Sequence, residues 1–223
     1  MAAAVLAAAA FTIAGKLHAG YPDLAPFVFD VSESMSHDDA IAHATVADMF
    51  RQPYPVGAPL APPAKDFDPG RYRNKALFDR LYGDCRSGGV KLVSVTWLPH
   101  SWGHTVQFAP RAAEALREVS AEIDALPPEI KRAAYPISGT YACRGVADKG
   151  QPSMHAYGAA IDLNLAYSQY WLWDQQRGRF RWDNRMPQAI VAAFERHGFI
   201  WGGRWYHYDT MHFEYRPELL VRP

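Results

Sequence analysis

The sequence predicts an α+β fold, with a small antiparallel sheet and helices flanking it. Two stretches rich in β-branched residues, 90–98 and 104–108, read as strands. Two others, opened by Pro110 and Pro187, repeat apolar residues at helical spacing. These elements are mixed without a regular βαβ rhythm, which favours segregated α+β layers.

Residues 1–15 are almost wholly apolar and rich in alanine. The run is short for a bilayer span. Segment 1–20 instead suits a secretory signal cut after Ala19, although no Lys or Arg precedes it and Leu17 is large for its offset. An alanine-rich helix and an uncleaved anchor are the alternatives. Residues 21–70 carry eight of the seventeen prolines, including Pro62 and Pro63, and predict extended chain that wraps the core or acts as a spacer. One helix is expected there. Ser36 can cap it, Asp38 and Asp39 suit its first turn, and Ile41, Thr45, Met49 and Phe50 could share a face. The segment offers no chemistry of its own.

The compact domain is expected over 71–223. After the two strands comes a helix over 110–126, with Leu116, Val119 and Ile123 on one face and Pro127 and Pro128 as its stop. Residues 137–141 read as a further strand. Gly158 permits a tight turn into a strand over 159–165. In that strand Ala160, Asp162 and Asn164 point one way, and Ala159, Ile161, Leu163 and Leu165 point into the core. A last helix runs from Pro187 through Ile190, Val191 and Phe194 to Gly198, and a strand over 206–215 finishes the domain.

Lys plus Arg (23) equals Asp plus Glu (23), so no overall basic field exists to attract nucleic acid or anionic lipid. No Lys/Arg run suggests a local one. No membrane span is expected beyond the N-terminal segment. The chain has two cysteines, Cys85 and Cys143. In an exported chain they can pair, closing a loop worth roughly 4 kcal/mol; two buried free thiols are the alternative.

The chemistry concentrates in Ser153-Met154-His155-Ala156-Tyr157-Gly158-Ala159-Ala160-Ile161-Asp162 and, some fifty residues on, Asp209-Thr210-Met211-His212. His155, Asp162 and His212 offer two imidazoles and a carboxylate. Asp209 is a spare carboxylate able to activate water. Three protein ligands with an open position suit a catalytic Zn2+ site, and this donor set suits zinc among divalent ions.

The combination Ser-x-His-x-x-Gly-x-Ala-x-Asp with Asp-x-x-His-Phe resembles the M15 (LAS-type) zinc D-alanyl-D-alanine carboxypeptidase and L-alanyl-D-glutamate peptidase family, over roughly 83–220. Ser138-Gly139-Thr140-Tyr141-Ala142-Cys143-Arg144 fits that family's arginine-bearing segment. The resemblance implies His155, Asp162 and His212 as zinc ligands and Asp209 as the catalytic acid/base. It also implies that Arg144 contacts substrate and steadies the oxyanion, and that Ser153 binds substrate. Some members carry glutamate where Asp209 stands.

Neighbouring residues compete for these roles. Glu214 would share the face of His212 on a strand, as the base or as the partner that fixes its tautomer; the second is favoured. Ser153 could equally cap the turn before His155. His207 could line the cleft or be structural. Trp205 and Tyr206 adjoin the catalytic segment and are candidates for a cleft wall. For His100 and His104 nothing beyond residue type suggests ligation.

The expected function is therefore an exported, periplasmic or cell-wall-associated zinc peptidase acting on peptidoglycan stem peptides. A D-alanyl-D-alanine carboxypeptidase is favoured. An L-alanyl-D-glutamate endopeptidase and a non-catalytic, zinc-stabilised wall-binding module are the alternatives.

Overall fold

The computed structural model describes residues 2–34, 36–145 and 153–221. Met1, residues 146–152 within the expected 71–223 domain, and its last two residues lie outside the described residues. In chain order the main elements are α1 (Ala2–Gly20), α2 (His37–His43), α3 (Lys75–Tyr82), β1 (Val93–Trp97), β2 (His104–Phe108), α4 (Pro110–Asp124), α5 (Pro128–Lys131), β3 (Ala160–Asp162), α6 (Trp171–Gln176), α7 (Gln188–Arg196), β4 (Phe199–Trp201) and β5 (His212–Tyr215). The fold is α+β.

β1 and β2 form an antiparallel hairpin in which Val95 faces Val106. A separate antiparallel sheet has the order β3-β5-β4, with Asp162 opposite His212 and Ile200 opposite Glu214. A bond from the Ala109 amide to the Gly158 carbonyl (2.7 Å) joins the two regions. Gly158 has φ +64, and a Cβ there would lie 2.6 Å from Leu92 Cδ2, so the turn requires glycine.

The main core fills the space between the sheets, α4 and α7. On α4, Ala112, Leu116, Val119 and Ile123 recur every three or four residues and are all buried. On α7, Ile190, Val191 and Phe194 do the same, and Phe194 stacks on Phe213 of β5 with centroids 3.9 Å apart. β5 is thus clamped from behind by α7, which fixes the strand that carries His212.

Several expected elements differ. The helix begun by Ser36 ends at His43, because the buried Asp48 carboxylate draws in the amides of Thr45 (2.9 Å) and Ser34 (2.8 Å) and unwinds the chain; Met49 and Phe50 sit in a later short turn. Residues 137–141 make a single bridge to β3 at Gly139, not a strand. β3 stops at Asp162. Asn164 then caps a short helical turn over Leu165–Tyr167, and Leu165 is 51% exposed rather than in the core. The last strand begins only at His212, since other segments have claimed the preceding backbone. Tyr206 donates to Phe67, His207 to the Asp68 side chain and Thr210 to Gln169. The pairing of β4 beside β5 and the helices α3 and α6 have no counterpart in the sequence reading.

The N-terminal segments pack on this frame. Leu17 and Tyr21, which flank Ala19, are buried, and the Tyr21 hydroxyl donates to Glu218 (2.8 Å). Gly20 lies so close to the Glu218 backbone that a Cβ would sit 2.5 Å from its nitrogen. Residues 46–54 supply Val46, Met49 and Tyr54 to buried clusters. Among the described residues no helix is long and apolar enough to cross a membrane. Cys85 and Cys143 form a disulfide across 58 residues, tying the turn after α3 to the segment that carries Arg144. A loop of that length stabilises the fold by roughly 4 kcal/mol in the chain-entropy account.

Candidate metal centre and pocket

His155 lies in the short helical turn Met154–Tyr157 capped by Ser153, whose hydroxyl accepts from the His155 amide (3.3 Å). Asp162 closes β3 and His212 opens β5, directly across the ladder. The three side chains meet. His155 Nε2 is 3.1 Å from Asp162 Oδ1, His212 Nδ1 is 3.0 Å from the same oxygen, and the two ring nitrogens are 3.2 Å apart. Three corners of a tetrahedron around a cation with bonds of about 2.0–2.1 Å are separated by about 3.3 Å, so the triangle fits a small divalent ion.

Proton accounting supports the fit. His155 Nδ1 lies 2.5 Å from the Thr140 carbonyl, which can only accept. His212 Nε2 lies 2.8 Å from Glu214 Oε2, a carboxylate oxygen. In neutral rings the protons therefore sit on those outer nitrogens. Both inner nitrogens then turn lone pairs toward each other and toward Asp162, an arrangement that calls for a cation at the centre. Replacing His155 with alanine should lower metal affinity by more than about 100-fold, beyond the loss typical of outer partners. Elemental analysis of purified protein measures this, with His207→Ala as the variant expected to keep its metal.

Glu214 is fully buried and holds His212 while Arg73 and Arg216 hold it. Burial raises its carboxyl, but Arg73 and His212 outweigh that and keep it well below the carboxylate range. Burial likewise raises Asp162, and His155 and His212 pull it far down. Burial depresses His212, yet Asp162 and Glu214 raise it to about 10 when no cation lies between them, so an entering metal ion must displace that proton.

Asp209 lies one turn before His212, whose amide donates to the Asp209 carbonyl (3.2 Å). Its Oδ1 is buried and, among the described residues, accepts no hydrogen bond. Burial, with the nearby Asp162 charge, raises this carboxyl to about 7 against the pull of His212, Arg71 and Arg144. A buried carboxylate oxygen left without a partner beside the triangle is placed to exchange a proton with a water there.

These groups line a cavity of about 280 Å³ that also includes Arg71, Arg73, Arg144, Ser153, Trp205 and His207. Arg144 is exposed at its rim. Trp205 donates its Nε1 proton to the Pro69 carbonyl (2.6 Å) and sets its ring 5.6 Å from that of His212. Tyr206 is not part of the lining; it packs on Phe180 with centroids 5.1 Å apart. His100 and His104 lie away from it.

The sequence reading missed the part played by residues 21–70 and the arginines beside them. Asp68 is fully buried and accepts from both the His207 amide (2.9 Å) and His207 Nδ1 (2.7 Å). His37 Nε2 is 3.2 Å from the same carboxylate and Arg71 is 3.9 Å from it. His37, Asp68 and His207 have the residue types of a second metal group. Arg71 and the His207 proton already serve the Asp68 oxygen, so the group is a polar clasp that presents His207 to the cavity. Arg73 reaches Glu214 and lies over the Trp205 ring. The available signal was Asp68-Pro69-Gly70-Arg71-Tyr72-Arg73, a turn followed by alternating arginines at the end of a proline-rich run.

A small mixed domain that brings two imidazoles and a carboxylate together, with a spare buried carboxylate beside them, has the architecture of a metal-dependent hydrolase site. Residues 147–215 match the family model described as D-alanyl-D-alanine carboxypeptidase, which supports an M15-family peptidase. The matched stretch contains His155, Asp162, Asp209, His212 and Glu214. No curated protein and no solved structure matches the chain.

Proposed function

We propose that the protein is an exported zinc peptidase that removes the terminal D-alanine from peptidoglycan stem peptides. The observation that carries this reading is the buried, unpartnered Asp209 oxygen beside the His155–Asp162–His212 triangle. A merely structural metal site has no use for it. The description of the matched family supports the carboxypeptidase branch. The Cys85–Cys143 disulfide supports an oxidising compartment.

When bound, zinc supplies Lewis acidity toward water and the scissile carbonyl. The remaining work falls to the chain. Asp209 takes a proton from the attacking water and returns it to the departing amine. Arg144 sets a fixed positive charge where negative charge grows on the carbonyl oxygen, a role commonly worth a few kcal/mol of barrier. Trp205 closes one wall and limits water around the reacting atoms. His155 and His212 are held in their ligating tautomers by Thr140 and Glu214.

Purified protein incubated with muropeptides should release free D-alanine, and a chelator should abolish the release until zinc is restored. Products cut after L-alanine would move the reading to the endopeptidase. Unchanged stems with intact wall binding would leave a non-catalytic module.

A further inference from the structure

Beyond the catalytic cavity lies a second concavity of about 320 Å³ that shares Tyr170 and Trp173 with it. Its far side carries Arg177, Arg179, Arg181 and Arg185, all exposed. Among the described residues, none of these guanidinium groups has a carboxylate within ion-pair distance. Two aspartates line the same hollow, leaving four positive charges against two negative. Asp174 Oδ2 accepts from the Tyr208 hydroxyl (2.8 Å) and Gln169 Nε2 (3.1 Å).

The alternation explains how the cluster forms. In 179–182 the two aromatic side chains lean on the neighbouring segment, Phe180 staying 38% exposed. Phe180 packs on Tyr206 and Tyr208, and Trp182 donates to the Gly203 carbonyl (2.9 Å). Arg179 and Arg181, on either side of Phe180, are exposed. The backbone is pinned as well. Arg179 donates to the Asp174 carbonyl (2.7 Å), and the Arg181 amide and carbonyl both bond the Tyr208 hydroxyl (3.1 Å). The charges therefore rise from a ledge whose backbone is held at Arg179 and Arg181. The chain as a whole is neutral, so this is a local field that no Lys/Arg run announced.

We infer that Arg177, Arg179, Arg181 and Arg185 form an anion subsite continuous with the catalytic cavity, which takes side-chain carboxylates of the peptide substrate away from the bond being cut. The inference rests on the peptidase reading above. Planar guanidinium groups match carboxylates in pairs, and their placement beside a shared aromatic wall lets one extended peptide occupy both hollows.

The test uses zinc-loaded full chain and two D-alanine-terminated peptides, identical except that one acidic side chain is free in the first and amidated in the second. The wild type should favour the acidic peptide about tenfold, through KM rather than kcat, and the preference should shrink between about 50 mM and 500 mM salt. The triple variant Arg177→Gln, Arg179→Gln, Arg181→Gln should unfold at the same midpoint and treat both peptides alike. A variant that keeps the preference overturns the inference. If neither peptide is cut, the peptidase reading fails instead, and fluorescence anisotropy of the labelled peptides still decides the subsite. Tighter binding of the acidic peptide by wild type alone supports it; equal binding overturns it. Loss of polyphosphate binding in the variant, with unchanged peptide kinetics, would assign the ledge to a phosphate polymer and also overturn it.

Discussion

Replacing Asp209 with asparagine should leave the metal content unchanged and reduce turnover by about 10³-fold, within the range of lost general acid–base catalysis. Asparagine keeps the shape of the side chain but cannot accept a proton. Asp209 contributes no atom to the ligand triangle, so the ion should stay. Single-turnover kinetics and elemental analysis on the same preparation check both halves. Glu214 is no substitute base. Its oxygens are engaged by Arg73, Arg216 and His212, and it is fully buried. Turnover at the parental rate in Asp209→Asn would nevertheless move proton transfer to another group and undo the assignment.

The largest effect on stability should come from Glu214→Ala. Arg216 has no exposure and Arg73 very little, and both point at this carboxylate. Removing it strands two guanidinium groups in the interior, and breaking a buried ion pair from one side costs about 3–5 kcal/mol. Arg216 keeps a bond to Glu218 (2.6 Å) and one to the Gly70 carbonyl (2.7 Å), which places the expected loss toward the lower part of that range. Urea unfolding of the metal-free proteins measures it. The same change frees the His212 ring and should weaken metal binding by about 10–100-fold. A loss below about 1 kcal/mol would mean that water reaches the arginines in the variant. Glu214→Gln, which keeps the volume but not the charge, should fall between.

Local signals in the sequence predicted the parts of this molecule that local physics decides. The helical face of Leu116, Val119 and Ile123, the strand at 104–108 and the turn at Gly158 follow from spacing and from residue type. The triangle of His155, Asp162 and His212 was legible because two compact motifs carry it. Long-range claims on the backbone were not legible. The segment before His212 has strand-like composition, yet Phe67, Asp68 and Gln169 take its amides and hold it irregular. Leu165 reads as a core residue, yet the Asn164 cap lifts it to the rim. Asp68, Arg71 and Arg73 stand in a proline-rich run whose composition suggested only a wrapping, and their value appears once Asp68 meets His207 across 139 residues. Arg177, Arg179 and Arg181 were passed over because alternation, unlike a run, becomes a patch only in extended chain.

The bridge from Arg73 through Glu214 to His212 has a consequence for biosynthesis. A ribosome delivers residue 73 long before residue 214, and until then Arg73 lacks its carboxylate and the pair His155 and Asp162 lacks the second imidazole. The triangle and the guanidinium pairing that braces it therefore assemble together, at the moment β5 docks beside β3.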